Sequence, residues 1–186
     1  MAVEFKDDND FGYTGFYRGL VLDNIDPSKF GRIKVNVLGV YKDIKSDDLP
    51  WAVPAFSIGC GSGAGYGCFS VPEIGSMVFC FFEKEDVYQP VYFASAPDGV
   101  HGLPSERTTN YPDRRVVKTV SGVVIYVDDV DKVVRLTHPT GKFIQMDGSG
   151  GVTISAGDVT IQASGEIGVT ASGNITISGS QVDINP

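Results

Sequence analysis

The chain has 186 residues, 42% of them hydrophobic, with 23 glycines and a formal net charge of −8. That length holds one ordinary domain plus a small one and excludes a large enzyme. The acidic balance speaks against nucleic-acid binding through phosphate contacts, which needs a basic surface. There is no run of 18 apolar residues and no basic-then-apolar start, so neither a transmembrane helix nor a signal peptide is expected. No apolar helical run exceeds about two turns, which makes the class all-β.

In chain order, residues 1–10 are polar and acidic (Glu4, Asp7, Asp8, Asp10) and read as a flexible N-terminal arm. Phe11, Tyr13, Phe16 and Tyr17 then supply an aromatic anchor. Their acidic company favours core or partner contact over base stacking. Five strand-like runs follow: Tyr17 to Asp23, Arg32 to Leu38, Pro50 to Pro54, Ser76 to Phe82 and Pro90 to Ser95. The first two are joined by a turn in which Pro27 fixes φ, Asp26 bonds its own backbone and Gly31 allows positive φ. Prolines bracket the third run, as an edge tolerates. Five short strands with one long glycine-rich loop predict a small Greek-key barrel, the OB-fold, over residues 11–97.

Little in this region promises chemistry. Gly59, Gly61 and Ala64 match G-x-G-x-x-A, but a phosphate cradle needs a helix to start there. Gly65, Tyr66, Gly67 and Pro72 follow instead, so a mobile or partner-facing loop is expected. Glu83, Glu85 and Asp86 read as a charged hairpin tip before an acid/base pair. His101 and His138 have no partner that would make a triad or a metal motif. Cys60, Cys68 and Cys80 form an odd set without C-x2-C spacing, so buried reduced thiols in a chain folded in cytoplasm are expected, and no zinc site. The chain is expected to have no catalytic, cofactor or metal site.

Residues 98–120 read as a connector with Gly99, Gly102, Pro104, Tyr111-Pro112 and Arg114-Arg115, too short for a catalytic domain. From Ser121 to Pro186 period-2 alternation takes over, with Val123, Ile125 and Val127 on one face, then Val134 and Leu136, then Ile144 and Met146. Gly157, Gly165 and Gly173 are spaced eight apart, each followed by a polar residue and a three-residue strand unit. The inward pairs are Val152/Ile154, Val159/Ile161, Ile167/Val169, Ile175/Ile177 and Val182/Ile184. Thr153, Thr160, Gln162, Thr170, Thr176 and Asp183 face outward. No aromatic follows Phe143 and no Lys or Arg follows Lys142.

A three-residue unit cannot bury its own dry face, so such units must stack. An eight-residue step carries a chain along one face of a triangle only, and three intertwined copies supply the other faces. These pairs are thus the expected core of a triple-stranded β-helix in an obligate homotrimer.

With those residues in view, the chain resembles the central spike proteins of contractile phage tails, with the related baseplate-assembly and type VI secretion spike proteins. The resemblance rests on Gly19-Leu20-Val21, Asp26-Pro27, Phe30-Gly31-Arg32-Ile33-Lys34-Val35, Leu49-Pro50-Trp51-Ala52, Pro72-Glu73-Ile74-Gly75-Ser76-Met77-Val78 and Gln89-Pro90-Val91-Tyr92, and covers about residues 11–186. It implies an OB-fold seated on the tail hub protein of a virion baseplate assembled in the host cytoplasm. It also implies a β-helix that makes transient contact with the host outer envelope as it pierces it. No lysozyme domain fits between the two parts, so peptidoglycan cleavage is not carried over. The H-x-H iron apex of some members is missing, and Val182, Asp183, Ile184, Asn185 and Pro186 are expected to dock a separate PAAR-type tip protein. A carbohydrate-binding or enzymatic fibre module is the alternative reading.

Overall fold

The computed structural model describes residues 12–57, 60, 62–63, 65–100 and 102–183. The expected arm (1–10), Phe11, His101, parts of the glycine-rich loop and the terminal Ile184, Asn185 and Pro186 lie outside the described residues. The chain divides into two compact units, Met1–Ser105 and Glu106–Pro186.

The first unit is a closed five-stranded barrel. Its strands are β1 (Tyr17–Asp23), β2 (Ile33–Val37), β3 (Trp51–Pro54), β6 (Met77–Phe82) and β7 (Pro90–Ser95). Two short strands in the intervening loop, β4 (Ser62–Gly63) and β5 (Tyr66–Gly67), form a separate two-stranded ladder. The barrel runs β1-β2-β3-β7-β6, and β6 closes it by pairing antiparallel with β1. Only β3 and β7 pair parallel. Bulges between Val21 and Asp23 and between Phe79 and Cys80 supply the local bending a small barrel needs.

Alternation decides which side chains point inward. Val21 on β1, Ile33, Val35 and Val37 on β2, Ala52 on β3, Val78, Cys80 and Phe82 on β6 and Tyr92 on β7 fill the interior. Each buried Val, Ile or Phe contributes about 1.5–3 kcal/mol relative to exposure. The polar ends of the core aromatics are satisfied, Tyr92 donating to the Gly31 carbonyl at 2.6 Å and Tyr41 to the Val87 carbonyl. Gly19 permits close approach of β1 and β2, because a Cβ there would stand 2.5 Å from Val35 Cγ2.

The second unit is a five-stranded antiparallel meander, β8 (Arg114–Lys118), β9 (Val124–Asp128), β10 (Val133–Thr137), β11 (Phe143–Met146) and β12 (Val152–Ser155). The sheet thus begins inside the stretch expected to be a plain connector, 98–120. Polar turns link the strands: Thr119 to Val123, Asp128 to Asp131, His138 to Lys142 and Asp147 to Gly151. From residue 156 to residue 183 the chain has no ladder with itself, and bends recur at 157, 164–165, 172–173 and 180. That interval matches the eight-residue step of the glycines. Within one chain the expected β-helix stretch is this bent, unladdered thread.

The cysteines depart from expectation. Cys60 and Cys68 are joined by a disulfide, and Cys80 alone is a buried free thiol. The β4–β5 ladder brings the first two together across a short hairpin, which their C-x7-C spacing does not announce.

Candidate functional site

The strongest functional feature is a face of the second unit. The strand registers align Val117, Ile125, Leu136, Ile144 and Ile154 in one row across the sheet. Beside it, Val127, Val134, Met146 and Val152 form a second row. Strand alternation puts both rows on the same face, and every member is exposed in the single chain. Scattered exposed apolar residues need no explanation, but a contiguous apolar face does.

The opposite face is the better covered one. There the Arg114 guanidinium lies 4.5 Å from the centre of the Tyr126 ring, and Arg135 lies 3.8 Å from that of Phe143. Arg135 also donates to Gln145 and to Thr137. Such cation–π and hydrogen-bonded stacks satisfy a polar face in water without further partners. The sheet therefore covers its charged side with its own residues and leaves its apolar side bare, apart from Arg115, which ends the second row opposite Val127 and pairs with Asp129.

Asp128 anchors one edge of this sheet. Its carboxylate is buried and accepts from the backbone N–H of Val130 and Asp131, from Asn110 Nδ2 at 3.0 Å and from Arg114 Nε at 2.6 Å. The Asp131 N–H, then Asn110 and Arg114, pull its pKa down to about 2 against the opposing effect of burial. In the sequence Asp128 is one polar residue of the turn that runs to Asp131. Its burial depends on Asn110 and Arg114, which the turn itself does not reveal.

Two of the expected core residues belong to the bare face. Val152 and Ile154 lie on β12. Val159, Ile161, Ile167, Val169, Ile175, Ile177 and Val182 are 48–70% exposed. Within one chain nothing brings them into a shared core. Of the expected tip-docking residues, Val182 and Asp183 are described, and Asp183 accepts from Gln181 Nε2. Ile184, Asn185 and Pro186 are outside the described residues.

Two of the candidates for chemistry, Asp86 and His138, make turn contacts. Asp86 accepts from the Tyr88 N–H at 2.9 Å and from Gln89 Nε2 at 2.7 Å, which lowers its pKa. His138 Nδ1 sits 2.8 Å from Thr140 Oγ1 within its own turn. Among the described residues, no group of three His, Cys, Asp or Glu side chains is placed to hold a metal ion.

On the barrel, Phe16, Phe79, Phe81 and Phe93 form an outer aromatic patch, with Phe16 and Phe93 centroids 5.2 Å apart. Arg18 lies over Phe79 and donates to the Ala96 carbonyl at 3.0 Å. The Asp-Pro…Gly-Arg element has a structural use here. Asp26 takes the Arg32 guanidinium and three backbone N–H groups, and Gly31, at φ +76°, passes beside the Phe69 ring.

No curated protein matches this sequence significantly. Residues 17–96, from the first barrel strand to the last, match the type VI secretion system/phage-baseplate injector OB domain. The closed barrel agrees with this match, and over residues 17–96 the chain is similar to that injector OB domain.

Proposed function

We propose that this chain is the central spike of a contractile injection baseplate. The family match supports a structural role in a baseplate, as a virion tail or injection-machine component. In the proposed arrangement the OB-fold end attaches to the tail hub protein. The second unit of three copies winds into a β-helix that drives through the host cell envelope. The action is mechanical, and no bond chemistry is assigned to any residue.

The observation that carries this reading is the bare apolar face of the second unit together with the bent, unladdered thread that follows it. A single sheet with its charged side satisfied and its Val, Ile, Leu and Met side exposed is built to be covered. The repeat after residue 156 has no in-chain partner for its backbone groups, and buried backbone groups must be paired. Two further copies supply both the cover and the hydrogen bonds. A PAAR-type tip protein on Val182, Asp183, Ile184, Asn185 and Pro186 completes the proposal.

Light scattering of the purified chain tests it. The expected mass is three times 19.9 kDa, with the trimer surviving SDS. A monomer at micromolar concentration overturns the proposal.

A further inference from the structure

The glycine-rich loop of the barrel contains a feature that the spike reading does not use. Strands β4 and β5 set Ser62 opposite Gly67 and Gly63 opposite Tyr66. Just outside this ladder stand Cys60 and Cys68, with Cα atoms 4.9 Å apart and their sulfurs bonded. That separation lies within the range disulfides adopt. Beside the bridge, the Phe69 ring meets the Phe56 ring edge-on with centroids 6.3 Å apart. Residues 65–70 are all exposed, Tyr66 among the most exposed aromatics of the chain, and a two-stranded ladder this short is marginal in water.

The two stems of the loop lead into a groove on the barrel. Ser57, three residues before Cys60, and Ser70, two after Cys68, line a cavity of about 330 Å³ with Phe93, Ala94 and Ser95 of β7. The bridge therefore ties together the two chain segments that form one side of this groove. The remaining cysteine stays out of reach. Cys80 is wholly buried in the barrel interior, and burial pushes its thiol up to about 12.

We propose that Cys60 and Cys68 are a reversible redox modification site, a two-thiol latch worked by small disulfides and thiols of the glutathione class. Its closed state fixes the hairpin and the Ser57–Ser70 side of the groove. In closing, the thiolate of one cysteine attacks a sulfur of the small disulfide, releasing one small thiol and leaving a mixed disulfide. The thiolate of the other cysteine then displaces the second small thiol and forms the Cys60–Cys68 bond. Two protein thiols are oxidised and one small disulfide is reduced. The two protons lost by the cysteines end on the two small thiols. Opening is the same sequence in reverse. The inference is independent of the oligomeric state of the second unit.

The test uses the full chain equilibrated in buffers of stepped reduced-to-oxidised glutathione ratio. Each sample is quenched in acid, alkylated with a mass-tagged maleimide and sized, and a parallel sample is digested briefly with chymotrypsin. Two tags are expected to disappear together within the series. Cleavage after Tyr66 and Phe69 is expected to be about tenfold faster in the reduced form, since proteolysis follows the population of the open segment. Cys68→Ser should be cleaved at the fast rate at every ratio. The proposal is overturned if the bridge never forms in the most oxidising buffer or survives the most reducing one. Equal cleavage of the two forms, or exchange of Cys80 into the pair in the native protein, overturns it as well.

Discussion

Arg32 Nη2 donates to Asp26 Oδ1 at 2.6 Å while Arg32 Nε donates to Asp26 Oδ2 at 3.1 Å, so the guanidinium grips the carboxylate with both arms. The same carboxylate receives the backbone N–H groups of Ser28, Phe30 and Arg32. The guanidinium in turn lies 5.5 Å from the centre of the Trp51 ring. One buried side chain thus organises the whole connection between β1 and β2 and joins it to β3. Asp26→Ala is expected to lower the unfolding midpoint of the barrel, because it leaves five donors without their acceptor. Arg32→Lys is expected to lower it less, since an ammonium keeps the charge but loses the planar fork. Trp51, the one tryptophan in the chain, reports barrel unfolding by its fluorescence. An Asp26→Ala midpoint equal to wild type would show that the turn holds without this carboxylate.

Acid should act on the two units through two carboxylates. Arg32 first, with the backbone donors behind it, holds Asp26 well below the usual carboxylate range, and Asp128 is drawn down to about 2. A carboxylate depressed in the folded state contributes stability that is full above its unfolded pKa of about 3.9 and is lost as pH falls toward the folded value. Stability is therefore expected to be flat in these two groups above about pH 5 and to fall below about pH 4. Most of the loss for Asp128 should have occurred by about pH 2, and that for Asp26 should extend to more acid pH. Asp26→Asn should flatten the acid limb followed by Trp51, and Asp128→Asn the acid limb of the second unit followed by circular dichroism. An unchanged slope in either variant would remove that carboxylate from the account.

Gly19 tests the closeness of β1 and β2. The Cβ of an alanine there would sit 2.5 Å from Val35 Cγ2, and Val35 is wholly buried and stiff at χ1. Gly19→Ala is expected to cost about 1–3 kcal/mol in chemical unfolding of the barrel. Ile33→Ala, which empties part of the same core, should cost about 2–5 kcal/mol. A neutral Gly19→Ala would mean that the strands separate there at no expense.

The proposed trimer makes a sharper demand on the second unit. Leu136 sits in the middle of the longer apolar row, between Ile125 and Ile144. Leu136→Asp and Ile177→Asp each place three carboxylates in what would be a dry interior. Both variants are expected to lose the trimer in light scattering while Trp51 still reports a folded barrel. An intact Leu136→Asp trimer would show that the bare face of the meander is not the contact surface.

The barrel was legible because its strands alternate cleanly. Ile33, Val35 and Val37 announce β2, and the observed strands agree with the expected ones to within about two residues. The turn chemistry of Asp26, Pro27 and Gly31 was equally local and equally readable. What escaped was set by residues distant in sequence. Arg114–Lys118 looked like connector because its two arginines mask the alternation, and it becomes a strand by pairing with Val124–Asp128. The Cys60–Cys68 bond depends on a ladder of Ser62, Gly63, Tyr66 and Gly67, too short and too glycine-rich to show an alternating pattern. The inward positions from Val152 onward were marked by their pattern, but a pattern of this kind names a face and does not name what covers it.

The closed barrel and the bare sheet also differ in reaction order. A barrel that closes by pairing β6 with β1 buries its core within one chain, so its folding rate does not depend on how many copies are present. A sheet with an uncovered apolar face gains its burial only by collision, so its maturation should quicken with concentration. At low expression the chain would then dwell as a folded barrel carrying a sticky, unfinished tail. Synthesis rate, as much as sequence, would decide between assembly and aggregation.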